Sequence, residues 1–292
     1  MKNDIYSQID SNKRKTFFIM FGFVIFITTL TWLFAYALGG NGAIVFFVPL
    51  AVIISVISSI ISYYKSDKIA IATSGAKPAK IEQFSNLHAT VENLSIVAGI
   101  PKPKIYYIND SAPNAFATGR DPTHAVIVVT TGLLAKLNKP ELEGVIAHEM
   151  AHIKNFDIRL MSVVAVLIGL VVILADWFLR ASLFKDSDNK SGPVLLLAIV
   201  MSLLAPISLE LVKLAISRNR EYLADSTGAY FTRYPKGLAD ALTKISNDRE
   251  PLEAANRGTA HLYISDPFKR KASNLFSTHP PVAERVKRLM AM

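Results

Sequence analysis

The sequence predicts an α-helical multi-pass membrane protein that carries an α+β domain outside the lipid, and three observations predict it. The 292 residues are 51% hydrophobic with a mean hydropathy of +0.32, which is high for a water-soluble chain and points to segments whose solvent is lipid. Four apolar runs, 16–38, 43–64, 160–179 and 193–216, approach the roughly 20 helical residues that cross a bilayer. Between and after them, 65–157 and 217–292 mix short alternating stretches with helical spacing, the pattern of a small sheet packed with helices.

Net charge is +9 and the isoelectric point about 9.6. The basic residues lie in small groups such as Lys13-Arg14-Lys15 and Lys269-Arg270-Lys271, without an RNA-binding signature. That distribution excludes a nucleic-acid partner and fits the positive-inside rule and an anionic bilayer surface. The chain has no cysteine, so disulfides and thiolate ligands are excluded and any metal falls to His, Asp or Glu.

Residues 1–15 form a polar, basic N-terminus. Thr16 to Leu38 then runs without a charge, too long for the apolar region of a signal peptide, and a second apolar run follows almost at once. Gly39-Gly40-Asn41-Gly42 suits a tight turn, and Ala43 to Tyr64 returns, so 16–64 is expected to be a transmembrane hairpin. Lys13, Arg14 and Lys15 before it and Lys65 and Lys68 after it place both ends in the cytoplasm. In 65–157, Gln83 to Ala98 suits an amphipathic helix, 101–108 a short strand, 114–120 a second, exposed strand, and Ala125 to Thr130 a buried one. His88 and His124 have no ligand partner at short spacing and read as ordinary histidines. The second apolar pair occupies 158–216, with Arg159 and Asp176 near the ends of its first run and Glu210 and Lys213 late in its second. The domain closes with 217–292, in which 248–273 is polar and loop-like, a candidate cover for a cleft, and 282–289 an amphipathic helix.

Within 141–154, one expected helix, stands His148-Glu149-Met150-Ala151-His152. Histidines four apart project from one helix face and can hold one Zn²⁺, while the glutamate between them leans toward the water a catalytic zinc retains. Pro140 suits the first helical turn, and Val145, Ile146 and Ile153 supply an apolar flank. His152 is expected roughly 12 Å of helix before the third apolar segment, close to the membrane surface.

A third ligand is required, and Ser217-Arg-Asn-Arg-Glu221-Tyr-Leu-Ala-Asp225 follows the fourth apolar run. Glu221 and Asp225 are one turn apart, so Glu221 can reach a metal while Asp225 accepts from the far nitrogen of a liganding histidine. By charge pattern alone the same residues also fit an exposed helix in which Arg218 and Arg220 balance two acids.

Taken in order, the apolar hairpin, Asn114-Ala-Phe-Ala-Thr-Gly119, His-Glu-Met-Ala-His, the second apolar pair, Arg218-Asn-Arg-Glu-Tyr-Leu-Ala-Asp225 and Thr278-His-Pro-Pro281 resemble the bacterial HtpX family of membrane zinc metalloproteases, peptidase family M48. The resemblance covers nearly the whole chain. It implies a zincin-like cytosolic domain with glutamate as third ligand: His148, His152 and Glu221 on one Zn²⁺ and Glu149 as the catalytic residue. It also implies a site facing the cytoplasm of a bacterial plasma membrane and stress-linked cleavage of misfolded or damaged membrane proteins. Asn114, Ala115, Phe116 and Ala117 resemble the family's edge strand, on which an extended substrate adds through backbone hydrogen bonds. His279 has two readings: Thr278 and the prolines simply start the last helix, or, as the resemblance implies, His279 folds over the zinc and donates to the developing oxyanion. Self-cleavage is chemically open to the chain, since loops such as 181–192 share it. Two other functions fit the sequence, a processing protease dedicated to one lipidated peptide and a membrane scaffold with a structural zinc, although a structural site has no need of Glu149.

Overall fold

The computed structural model describes residues 5–183, 217–256, 258–268 and 280–292. The fourth apolar run, 193–216, and His279 lie outside the described residues.

Helix α1 (Ile5–Thr73) begins within the polar N-terminus and keeps its helical pattern to the end of the second apolar run. Residues 39–42, expected as a tight turn, are therefore helical. The chain nevertheless doubles back, because Lys13, Thr16 and Met20 share a cleft with Ile60, Tyr63 and Tyr64. Glycines let a helix bend sharply. Two stretches of it, Ile9–Trp32 and Asn41–Thr73, are long and apolar enough to cross a membrane.

The sheet contains β1 (Lys77–Pro78), β2 (Lys104–Ile108), β3 (Ala115–Thr118) and β4 (Val126–Thr130) in the order β1-β2-β4-β3. β2 and β4 are parallel, and β3 runs antiparallel to β4 at the sheet edge. Strand alternation divides β4 between two cores. Ile127 and Val129 face α2 (Ser85–Ala98) and α4 (Lys139–Lys154), while Val126 and Val128 face Ala70 of α1, Met161 and Ala165 of α5 (Asp157–Leu183), and Leu262 and Tyr263. The expectation of an exposed second strand is corrected here: all four residues of β3 are buried, because α4 lies under one face and the chain around Tyr263 covers the other.

The third apolar segment is helical but does not continue α4. The two helices meet at 85° through Phe156, whose φ of 59° is left-handed. Leu160, Val164 and Leu167 on α5 are fully buried, packed with Ile19, Phe23 and Leu30 of α1. This half of the segment thus packs against protein. α3 (Thr131–Lys136), α6 (Arg218–Thr232), α7 (Pro235–Asn247) and α8 (Val282–Met290) complete the described helices.

Candidate metal centre

α4 is fixed at its start by a reciprocal cap. Asn138 accepts from the Glu141 amide at 3.0 Å, and the Glu141 carboxylate accepts from the Asn138 amide at 2.9 Å, satisfying two donors that a helix start leaves open. Two further close approaches hold α4 in register. A Cβ on Gly144 would lie 2.6 Å from the Leu238 nitrogen of α7, and one on Gly228 of α6 would lie 2.9 Å from the His148 nitrogen. Gly228 follows Glu221 by about two helical turns and so shares its face. The contact that brings α6 onto the His148 backbone therefore also brings Glu221 onto the histidines.

His148, Glu149, His152, Glu221 and Asp225 are all buried. Nε2 of His152 lies 3.1 Å from Nε2 of His148. Oxygens of Glu221 lie 3.5 Å from Nε2 of His152 and 3.8 Å from Nε2 of His148. Ligands about 2.0–2.1 Å from a tetrahedral zinc stand about 3.3 Å from one another, so these three side chains have the spacing such an ion requires. Among the described residues they form the one group with this arrangement.

A carboxylate stands behind each imidazole. Asp225 lies 3.0 Å from Nδ1 of His148. Asp157, at the start of α5, lies 3.0 Å from Nδ1 of His152. Bonded this way, the histidines turn their Nε2 atoms toward Glu221. Arg285 of α8 closes the arrangement, donating through Nε and Nη2 to Asp225 at 2.9 and 2.7 Å, with Nη1 3.7 Å from Glu221.

The electrostatics divide the two histidines. Burial pushes His148 down to about 4, against its bond to Asp225, and the charges of His152 and Arg285 add to the depression. Burial also opposes charge on His152, but its bond to Asp157 and the charge of Glu221 outweigh this and carry it to about 9. In the metal-free protein at neutral pH a charged His152 thus donates to a neutral His148. Burial, assisted by the charge of Glu221, raises Glu149 to about 7 even though His152 and a hydrogen bond from the Ala117 amide favour its ionised form. Burial would raise Asp225 too, yet Arg285 and His148 hold it below the usual carboxylate range.

The edge strand passes directly over this centre, but its outer rim is taken. The Ala115 carbonyl accepts from the Ile264 amide at 2.9 Å, the Asn114 side chain donates through Nδ2 to the Ser265 carbonyl at 3.1 Å, and the Tyr263 ring meets Phe116 edge-on at 4.9 Å. The structure thus brings together His148, Glu149, His152, Glu221, Asp225 and the 114–117 strand. His88 and His124 stand apart, bonded to Ala79 and Asp121. Sequence reasoning missed Asp157 and Arg285. Asp157 had a signal, an acid one turn beyond the second histidine; Arg285, on an amphipathic helix far along the chain, had none.

Residues 81–292 match the family model for peptidase family M48. The chain belongs to peptidase family M48. It is 47% identical to a Protease HtpX homolog from Caldanaerobacter subterraneus subsp. tengcongensis, covering 100% of this chain and 99% of that one. A Protease HtpX homolog from Dictyoglomus turgidum is 46% identical, with 98% and 94% covered. The crystal structure of S. mikatae Ste24p shares the fold, with a TM-score of 0.50 at 23% identity over 90% of this chain and 65% of that longer one. Membership of M48, the apolar spans and the buried His-His-Glu cluster make this a membrane-bound metalloprotease, and its substrates are polypeptides.

Proposed function

We propose that the chain is a zinc endopeptidase of the bacterial plasma membrane, multi-pass, with its site facing the cytoplasm, and that it cleaves misfolded or damaged membrane proteins. The observation that carries this reading is the convergence of His148, His152 and Glu221 at zinc-ligand spacing beside Glu149. The bend at Phe156 keeps that site within a few residues of the packed α1–α5 pair, which supports substrates reaching it from the membrane.

One zinc ion, held by His148, His152 and Glu221, supplies Lewis acidity toward a water molecule and a peptide carbonyl. The chain's own contribution is proton handling and placement. Glu149, buried beside the three ligands, is placed to take a proton from the attacking water and return it to the departing amine. No covalent enzyme intermediate is needed. Asp225 and Asp157 keep both imidazoles in the tautomer that presents Nε2. Asn114 to Ala117 receive the substrate as an added strand, which recognises backbone more than side chains and suits a protease of broad scope. In the structure Ile264 holds the Ala115 carbonyl, so a substrate strand displaces it. His279 is assigned as a donor to the oxyanion. Turnover of a peptide by His279→Ala should fall about 100-fold, the usual effect of one lost oxyanion donor; unchanged turnover would restrict His279 to starting the helix.

The deciding experiment is digestion of casein by the purified, detergent-solubilised chain, with zinc, with a chelator, and beside Glu149→Gln. Zinc-dependent cleavage that disappears in a zinc-loaded Glu149→Gln protein is the expected result. Near-normal proteolysis by that variant would sink the assignment of Glu149.

A further inference from the structure

The centre reaches into the membrane domain through one side chain. Asn12 of α1 is fully buried, although it stands where the chain turns from polar to apolar, a place where an unpaired amide would be costly. Its Nδ2 donates to Oδ1 of Asp157 at 2.7 Å and to the Asn155 carbonyl at 3.1 Å. Its Oδ1 accepts from Nη1 of Arg220 at 3.4 Å. Two acceptors on one end and a donor on the other fix the orientation of the amide. Asp157 is itself buried, and its two oxygens have separate duties: Oδ1 is held by Asn12, Oδ2 faces Nδ1 of His152 at 3.0 Å. Rotating the carboxylate to improve one contact degrades the other.

We propose that Asn12 is a positioning residue for the metal centre, clamping the Asp157 carboxylate that orients His152 and so tying the seating of the first membrane helix to metal affinity. This rests on the reading of His148, His152 and Glu221 as zinc ligands. Neighbouring contacts seat the clamp: Lys13 lies over the Phe156 ring at 5.1 Å, within the bend between α4 and α5, and Thr16 donates to the Asn12 carbonyl at 2.8 Å. A shift of α1 along α5 therefore moves Asn12 relative to Asp157 without touching any ligand directly.

The test is zinc affinity of the full-length, detergent-solubilised chain, measured by competition with a chromophoric chelator and independent of proteolysis. Outer partners of metal-bound histidines are worth about 10–100-fold in affinity, and Asn12→Ala should lose an amount in that range. Asn12→Leu, which keeps the branched shape and suits a membrane helix, should show the same loss should the alanine variant not be recovered folded. In an Asp157→Asn background Asn12→Leu should cause no further loss, a non-additivity that a purely structural role would not produce. Parent-like affinity in both Asn12 variants, with Asp157→Asn weakened, would overturn the proposal alone. Zinc binding indifferent to His148→Ala would overturn the ligand assignment and the proposal with it.

Discussion

Two imidazoles one turn apart on α4 ionise in opposite directions, and the cause is what stands behind each. His148 faces Asp225, whose charge is already engaged by Arg285, so burial wins and the ring is neutral down to about 4. His152 faces Asp157 and the charge of Glu221, and holds its proton to about 9. The signs for the metal-free fold follow from linkage. The stability contributed by His152, whose pKa is raised, is complete below about 6.5 and lost as pH rises through 9; that of His148, whose pKa is depressed, is present above about 6.5 and lost as pH falls through 4. A zinc ion must displace the His152 proton. Affinity for zinc should therefore climb about tenfold per pH unit between 7 and 9, measured by chelator competition, and a flat profile would contradict the charge state assigned to His152. The motif histidines and Glu149 were legible from spacing alone, because a helix repeats every 3.6 residues. The charge state of each was not, since it depends on acids from α5 and α6.

β3 shows why an element's role depends on what lies beside it. Its sequence, small residues around Phe116, reads as a strand, and it lies at the sheet edge. Its burial could not be read, because the segment that covers it comes from residues around 263, joined to it only by the fold. One backbone hydrogen bond is worth about 1 kcal/mol. Ile264→Pro deletes the donor to the Ala115 carbonyl and should lower KM for a peptide roughly fivefold with little change in kcat, by the same arithmetic of about 1.4 kcal/mol per decade. A KM that stays the same or rises would show that substrate does not add at that rim. α4 teaches a related lesson. Its HEMAH face was evident, but its end was not: the expected straight run into the membrane is replaced by an 85° bend that returns Asp157 to His152.

Across the molecule, the metal centre sits between a sheet-and-helix domain and the α1–α5 pair, and no single stretch of chain contains it. Asn12, His148, Asp157, Glu221 and Arg285 come from five helices. Placement in the membrane gives a further expectation, made simple by the absence of cysteine. If both ends of the α1 hairpin face the cytoplasm, Asn41→Cys in intact cells should react with a membrane-impermeant maleimide, while Lys80→Cys should react only after lysis. Both positions are exposed. The reverse pattern would invert the topology and place the site outside.

By itself the sequence determined the HEMAH pair, the apolar runs and the basic flanks, which follow from local spacing and composition, while Glu221 as the completing ligand was implied only by the resemblance to M48. Only the tertiary structure decided that Asp157 stands behind His152, that Arg285 pairs with Asp225, that Asn12 holds Asp157, and that the edge strand is covered. Periodicity reports which face of an element is apolar. The partner that covers that face is set by long-range packing, such as the bare Gly228 backbone against His148, where no repeat in the sequence reaches.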